Sequence, residues 1–288
     1  MNPDSLANAA KLIAGAAVVS LVFSQGLKGE FRQLLTSLAH PGLLFRSVLA
    51  VLVLVPLAAL LVAVGTGVER RSVVGIVLMG VSPAAPLVLW RAGQAGGDES
   101  FAQSLDAILA LLAVASVPLS LALLSSLFPA SHATVSPWAI AGQVSRVQLV
   151  PLVAGLGVRA LRPGLAAKLA RPLARFAVIL LVLFVLVAIA VERRELIRLG
   201  RPPYAAMAVT VAVSIVIGHV LGGPLPRNRT VLAVASALRN PGLALLVVQL
   251  NFQGQGISQV VLAYVLVTLV FLGTYAAWRK RTSSFATL

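Results

Sequence analysis

Nine apolar runs follow one another along this sequence, each long enough to cross a hydrocarbon layer of about 30 Å as a helix. Their limits fall near residues 7–27, 43–65, 72–93, 102–128, 137–160, 175–191, 203–222, 230–251 and 256–278. The fold class that follows is an all-α membrane protein. Connections are short, and the longest carry the charge: "KGEFRQLLTSLAH", "RALRPGLAAKLARPLAR" and "ERRELIRLGR". The first run is preceded by an acid at Asp4 and lacks a basic start or a clear cleavage site, so it reads as a membrane helix rather than a removed signal.

Composition agrees. Of 288 residues 59% are hydrophobic and 11% charged, with a mean hydropathy of +0.98. A water-facing surface of this size needs more charge than that, and the chain has no room for a separate soluble domain. The net charge of +15 resides in short basic clusters between apolar runs. That is the pattern of loops facing anionic lipid, and it argues against nucleic acid as a partner. The chain has no cysteine, which excludes disulfides, thiolate metal sites and cysteine nucleophiles.

With nine spans the termini lie on opposite sides. Fourteen Lys and Arg residues, Lys28, Arg91 and Arg159 among them, fall on the C-terminal side, against seven on the other. The expected orientation is N-terminus outside and C-terminus cytoplasmic, in a cell inner (plasma) membrane. Two arginines belong to neither set. Arg239 lies ten residues past Arg229, about 15 Å into its span at 1.5 Å per residue. Arg146 lies near mid-depth in the fifth span. Each must face protein, water or an anion.

Two spans are interrupted at mid-length. The third contains Pro83 and Pro86, and the eighth contains Pro241 and Gly242 in "ALRNPGLALLVV". Proline removes a backbone donor and clashes with the preceding turn, so both helices are expected to open there. Irregular backbone at this depth survives only where protein buries it or a cavity wets it. Interrupted helices at matching positions of two halves, here 4+5 spans, point to a transporter site between inverted repeats.

The residues also carry a resemblance. The segment "SQGLKGEFRQLLTSLAHPGLLFRSVLAVLVLVPLAALL", residues 24–61, resembles the start of the bile acid:sodium symporter family, with Pro56 as its mid-membrane proline. "GVSPAAPLVLW" and "RNPGLALL" look like that family's two crossing helices, and "VQLVPLVAGLGVRAL" is similar to its Leu-Leu-Pro-Ile-x-x-Gly segment. The resemblance implies a panel domain, roughly 7–27 and 137–191, and a core domain, roughly 43–128 and 203–278. It also implies two unwound helices crossing at the substrate site. The departures matter as much. By alignment the family's sodium ligands fall on Val51, Val88, Leu89, Leu111, Val114, Ala235 and Arg239, and none of these side chains offers an oxygen. Arg239 stands where the family has a glutamine.

The function that follows is a secondary transporter of small organic anions by alternating access, without sodium coupling. Substrate contacts are expected from Arg239, Asn240, Ser82 and Ala84 at the breaks, with Arg146 flanking the cavity or serving structure. Arg239 could be a built-in cation, a fork for an anionic substrate, or the ion-pair partner of Asp106. Asp106, the one acid well inside a span, is a proton-coupling group or a helix-end carboxylate. Two alternatives stay open: sodium coupling through backbone carbonyls at the breaks, and a non-transporting anion sensor. His40, His132 and His219 are scattered and no catalytic or phosphate-loop motif occurs, so neither an enzyme, a metal nor a cofactor is expected.

Overall fold

The computed structural model describes residues 3–29, 40–83, 88–127, 137–252 and 255–285. Helices occupy all nine apolar runs, and no strand occurs among the described residues. In chain order they are α1 (Pro3–Lys28), α2 (Pro41–Gly65), α3 (Arg70–Val81), α4 (Val88–Gln94) and α5 (Glu99–Leu127). Next comes α6 over residues 137–161, in which a π turn at Ser145–Leu149 joins Pro137–Val144 to Val150–Leu161. The rest are α7 (Pro163–Arg198), α8 (Arg201–Leu221), α9 (Pro226–Ala237), α10 (Pro241–Asn251) and α11 (Ile257–Phe285). Six helices, α2, α5, α6, α7, α8 and α11, are each long and apolar enough to cross a membrane, while α1 carries a shorter apolar stretch at Gly15–Lys28.

The two interrupted runs appear as helix pairs, α3 with α4 and α9 with α10. One expected connection differs from the structure. "RALRPGLAAKLARPLAR" reads as a loop before a span at 175–191, yet α7 runs from Pro163 without interruption. Pro163 occupies the first helical position, where its missing N–H costs nothing. The Ala, Leu and Lys that follow favour helix. Ala166 and Ala170 then bury against Leu27 of α1, so packing holds the segment helical past Pro172.

In lipid, helices associate by close van der Waals contact, because the tails are as apolar as leucine. The seam between α1 and α6 shows this. A Cβ placed on Gly26 would strike the carbonyl of Leu152, and one on Gly155 would strike the carbonyl of Phe23. Two glycines face each other across helices that touch through their backbones. Around this seam α1 packs on α6 and α7. A second set, α2, α3, α8, α9 and α11, shares the main apolar core with α5 and α10, and Gly218 of α8 meets the backbone of Leu232 and Ala233 in α9. In the apolar stretch of α7 only 6% of residues are buried, so this helix presents its side chains to lipid.

One end of the second set is clamped by polar groups. Arg279 on α11 donates to Thr230 Oγ1 at 2.8 Å and to the Pro226 carbonyl at 3.3 Å, and its guanidinium lies 5.6 Å from the Trp278 ring centroid. His219 Nδ1 and the Tyr275 hydroxyl are 2.8 Å apart beside it.

The glycine seam makes a direct test. Gly155→Leu is expected to lower stability by about 3 kcal/mol or more, since no rotamer avoids the α1 backbone. Gly157→Leu, where a Cβ meets nothing within 4 Å, is expected to stay within about 0.5 kcal/mol. Thermal unfolding in detergent separates them, and equal melting of the two variants would sink this account of the seam.

Candidate functional site

The site begins with how each interrupted helix ends. α3 stops at Val81 because Pro83 follows and the residue before a proline avoids helical geometry. Ser82 turns extended (φ −81°, ψ 103°), and its N–H bonds the Leu78 and Met79 carbonyls. Its hydroxyl also returns to Leu78 O at 2.7 Å. The last carbonyls of α3 have no helical donors, and they carry the negative end of the helix dipole.

α9 ends at Ala237, and Leu238 to Asn240 run extended to the start of α10. There Asn240 caps the new helix, its Oδ1 accepting the Leu243 N–H at 3.1 Å, and Pro241 sits at the first helical position. Pro241 therefore starts a helix here rather than kinking one. Gly242 is needed for space: a Cβ there would strike Val18 of α1.

Between these ends lies Arg239, 1% exposed and the largest fully buried side chain described. Its Nε donates to Met79 O at 3.2 Å, and its Nη2 donates to Val51 O at 3.2 Å and to Gly80 O. Two of these acceptors are carbonyls in the last turn of α3, and Met79 O also accepts the Ser82 N–H at 3.2 Å. The third has a different origin. In the π turn Ala50–Leu54 of α2, the Val55 N–H bonds Ala50 O, and Pro56, next in line, has no N–H to give. The Val51 carbonyl is thereby released from its helix and turned to the guanidinium. Among the described residues Arg239 Nη1 has no hydrogen-bond partner, and the buried Tyr264 hydroxyl of α11 interacts with the Arg239 charge and with Ser214.

The other expected site residues separate into groups. Asn240 and Ser82 stand at the two breaks, both 1% exposed, each engaged with backbone through its oxygen. Pro83 is buried beside them. Ala84 and Pro86 lie outside the described residues. Arg146 is exposed on the π turn of α6, so the structure does not bring it to Arg239. Asp106 does not pair with Arg239: its carboxylate accepts a hydrogen bond from Gln25 Nε2 of α1. Sequence reasoning missed Met79 and Gly80, and singled out Val51 only as a ligand position whose side chain lacks an oxygen, because the groups these three offer are main-chain atoms. It also missed Tyr264 and Gln25, whose only signal was a polar atom inside an apolar run.

A ring of carbonyl oxygens around one buried positive charge is what a protein builds to hold a cation in lipid, here with the cation covalently attached. Comparison with known proteins agrees with the architecture. The model of the Sodium Bile acid symporter family matches residues 16–199. The ileal sodium/bile acid cotransporter of Oryctolagus cuniculus is 25% identical over 96% of this chain and 84% of its own length. Sodium-dependent organic anion transporters of Rattus norvegicus and Mus musculus are each 24% identical over 94% of this chain, and over 76% and 75% of their own lengths. With broken helices, a buried central cation and a family match over most of its length, this chain belongs to the sodium bile acid symporter family of membrane transporters.

Proposed function

We propose that this chain is a secondary transporter of small organic anions working by alternating access, in which the Arg239 guanidinium is a permanent internal cation and no sodium ion is used. The observation that carries this reading is the bonding of Arg239 to the Met79, Gly80 and Val51 carbonyls. Hard cations such as sodium seek oxygen sets of this kind. The chain's relatives are named for sodium dependence and for bile acids or organic anions, which supports the substrate class. Here the acceptors are already taken by a group that cannot leave.

The helices that meet around α1 form the panel in this reading, and those around α3, α9 and α11 form the core. The substrate sits where the breaks face the panel, with the N-terminus of α10 favouring its negative charge. The N-terminus of the chain lies outside and the C-terminus in the cytoplasm, as the distribution of Lys and Arg requires. Sodium coupling through backbone carbonyls is the rival reading, and it needs the oxygens that Arg239 occupies.

Two measurements test this. In proteoliposomes, uptake of labelled taurocholate as probe is expected to be equal in sodium and choline buffers. A strict requirement for a sodium gradient would overturn the sodium-independent reading. The second test uses purified protein. Arg239→Ala takes the donor from the buried Val51 and Gly80 carbonyls and is expected to lower stability by about 2 kcal/mol or more, at ~1–3 kcal/mol per unsatisfied group. Arg239→Gln removes the charge and adds an oxygen, so its melting temperature is expected to rise with added sodium but not with choline. An Arg239→Gln protein indifferent to sodium would argue that these carbonyls form no cation site.

A further inference from the structure

Asp106 is 7% exposed, and no other acidic side chain among the described residues is buried. A carboxyl in such a place must be paired, hydrogen-bonded or protonated. Its partner is the neutral amide of Gln25, and that contact crosses an unusual seam. α1, which carries Gln25, packs on α6 and α7, whereas α5, which carries Asp106, packs on α2, α3, α4 and α9 as well as α6. The hydrogen bond therefore joins α1 to a helix that packs on α6 on one side and on α2, α3, α4 and α9 on the other, the boundary that alternating access in the proposed reading must loosen.

Charged groups on the surrounding elements have other engagements or face outward. On α1, Lys28 interacts with Arg171 and Glu99. Arg46 of α2, Arg70 of α3 and Arg146 of α6 are exposed, and Arg71 of α3 bonds Glu69. Arg91 of α4 lies over Trp90, Arg227 of α9 is exposed, and Arg229 bonds Gly223 O. Just before α5 Asp98 accepts the Phe101 N–H, and Glu99 of α5 is exposed. Arg239, in the break after α9, is held by its carbonyls. Among the described residues none of these side chains forms an ion pair with Asp106, and a proton is the cation that a buried carboxyl can take up directly.

We propose that Asp106 is a proton-binding site, and that a proton on Asp106 and an organic anion are carried together, making the chain a proton–anion symporter. This deepens the function proposed above and rests on it. Gln25, which bonds Asp106, lies seven residues or about 10 Å along α1 from Val18, and Val18 meets Gly242 at the start of α10. An ionised Asp106 therefore puts a negative charge near the break that receives the anion and opposes its entry across a medium of low dielectric. A proton on Asp106 removes that opposition. The same proton frees the seam. An ionised carboxylate parted from Gln25 would be stranded in a buried interface, while the neutral acid can part from it at far lower cost. The neutral acid also has an O–H to donate to the Gln25 carbonyl oxygen, so the contact can re-form with its sense reversed.

The test is binding and transport of taurocholate as a function of pH in choline buffer, in wild type and Asp106→Asn. Wild-type affinity is expected to fall about tenfold per pH unit on the alkaline side of the Asp106 midpoint, the slope for uptake of one proton with the anion. An inside-alkaline gradient should drive accumulation. Asp106→Asn, fixed in the neutral form, should bind with a flat pH profile and show no gradient-driven accumulation. A variant that keeps the wild-type pH slope or the gradient response would overturn the proposal. If taurocholate neither binds nor moves at any pH, the substrate reading fails instead. Infrared titration of the purified protein then decides the proton site. A carboxylic C=O band that titrates in wild type and vanishes in Asp106→Asn upholds it, and an identical titration in both overturns it.

Discussion

One buried guanidinium organises the centre of this protein. Arg239 reaches carbonyls from two separate stretches of chain, the end of α3 and the π turn of α2, and it does so from the extended gap between α9 and α10. A permanent charge at this depth is tolerable only because main-chain dipoles replace the water it has lost. In return, the Val51 and Gly80 carbonyls gain a donor in an apolar interior. The interruption of α3, the π turn in α2 and the position of Arg239 are thus mutually dependent. Removing any one leaves the other two with unmet hydrogen-bonding groups.

Around that centre the protein relies on closeness rather than on hydrophobicity. Lipid gives little preference for one apolar surface over another, so contact area and small residues decide which helices adhere. Gly26 and Gly155 let α1 and α6 meet backbone to backbone, and Gly218 does the same for α8 and α9. The result is close packing at both seams. α1 also meets α5 through the Gln25–Asp106 hydrogen bond and α10 through Val18 against Gly242.

Much of this was legible in the sequence. Runs of apolar residues located the membrane-length helices among the described residues, and Pro83 and Pro241 located both interruptions, because proline acts on the backbone directly and needs no tertiary context. The depth of Arg239 followed from counting at a known rise per residue. Its partners did not, since carbonyls of Val51, Met79 and Gly80 leave no trace in residue identity. Asp106 as a partner for Arg239 was the reasonable guess from charge alone, and the structure pairs it with Gln25 because α1 happens to lie against it there. The helical start of α7 was hidden for a similar reason: its basic residues resemble a loop, and only burial of Ala166 and Ala170 against Leu27 reveals otherwise.

Pro56 has a reach that its own surroundings do not suggest. By withholding a donor it delivers the Val51 oxygen to the guanidinium. Specificity for positive charge is thereby written into an imino acid, and the side chain at 51 is free to vary without erasing it. Homologous chains that keep this proline and differ at 51 would retain the acceptor, whereas those that lose the proline would have to supply it from a side chain. Drift in such a protein is therefore constrained at the residue that lacks an N–H rather than at the residue that binds.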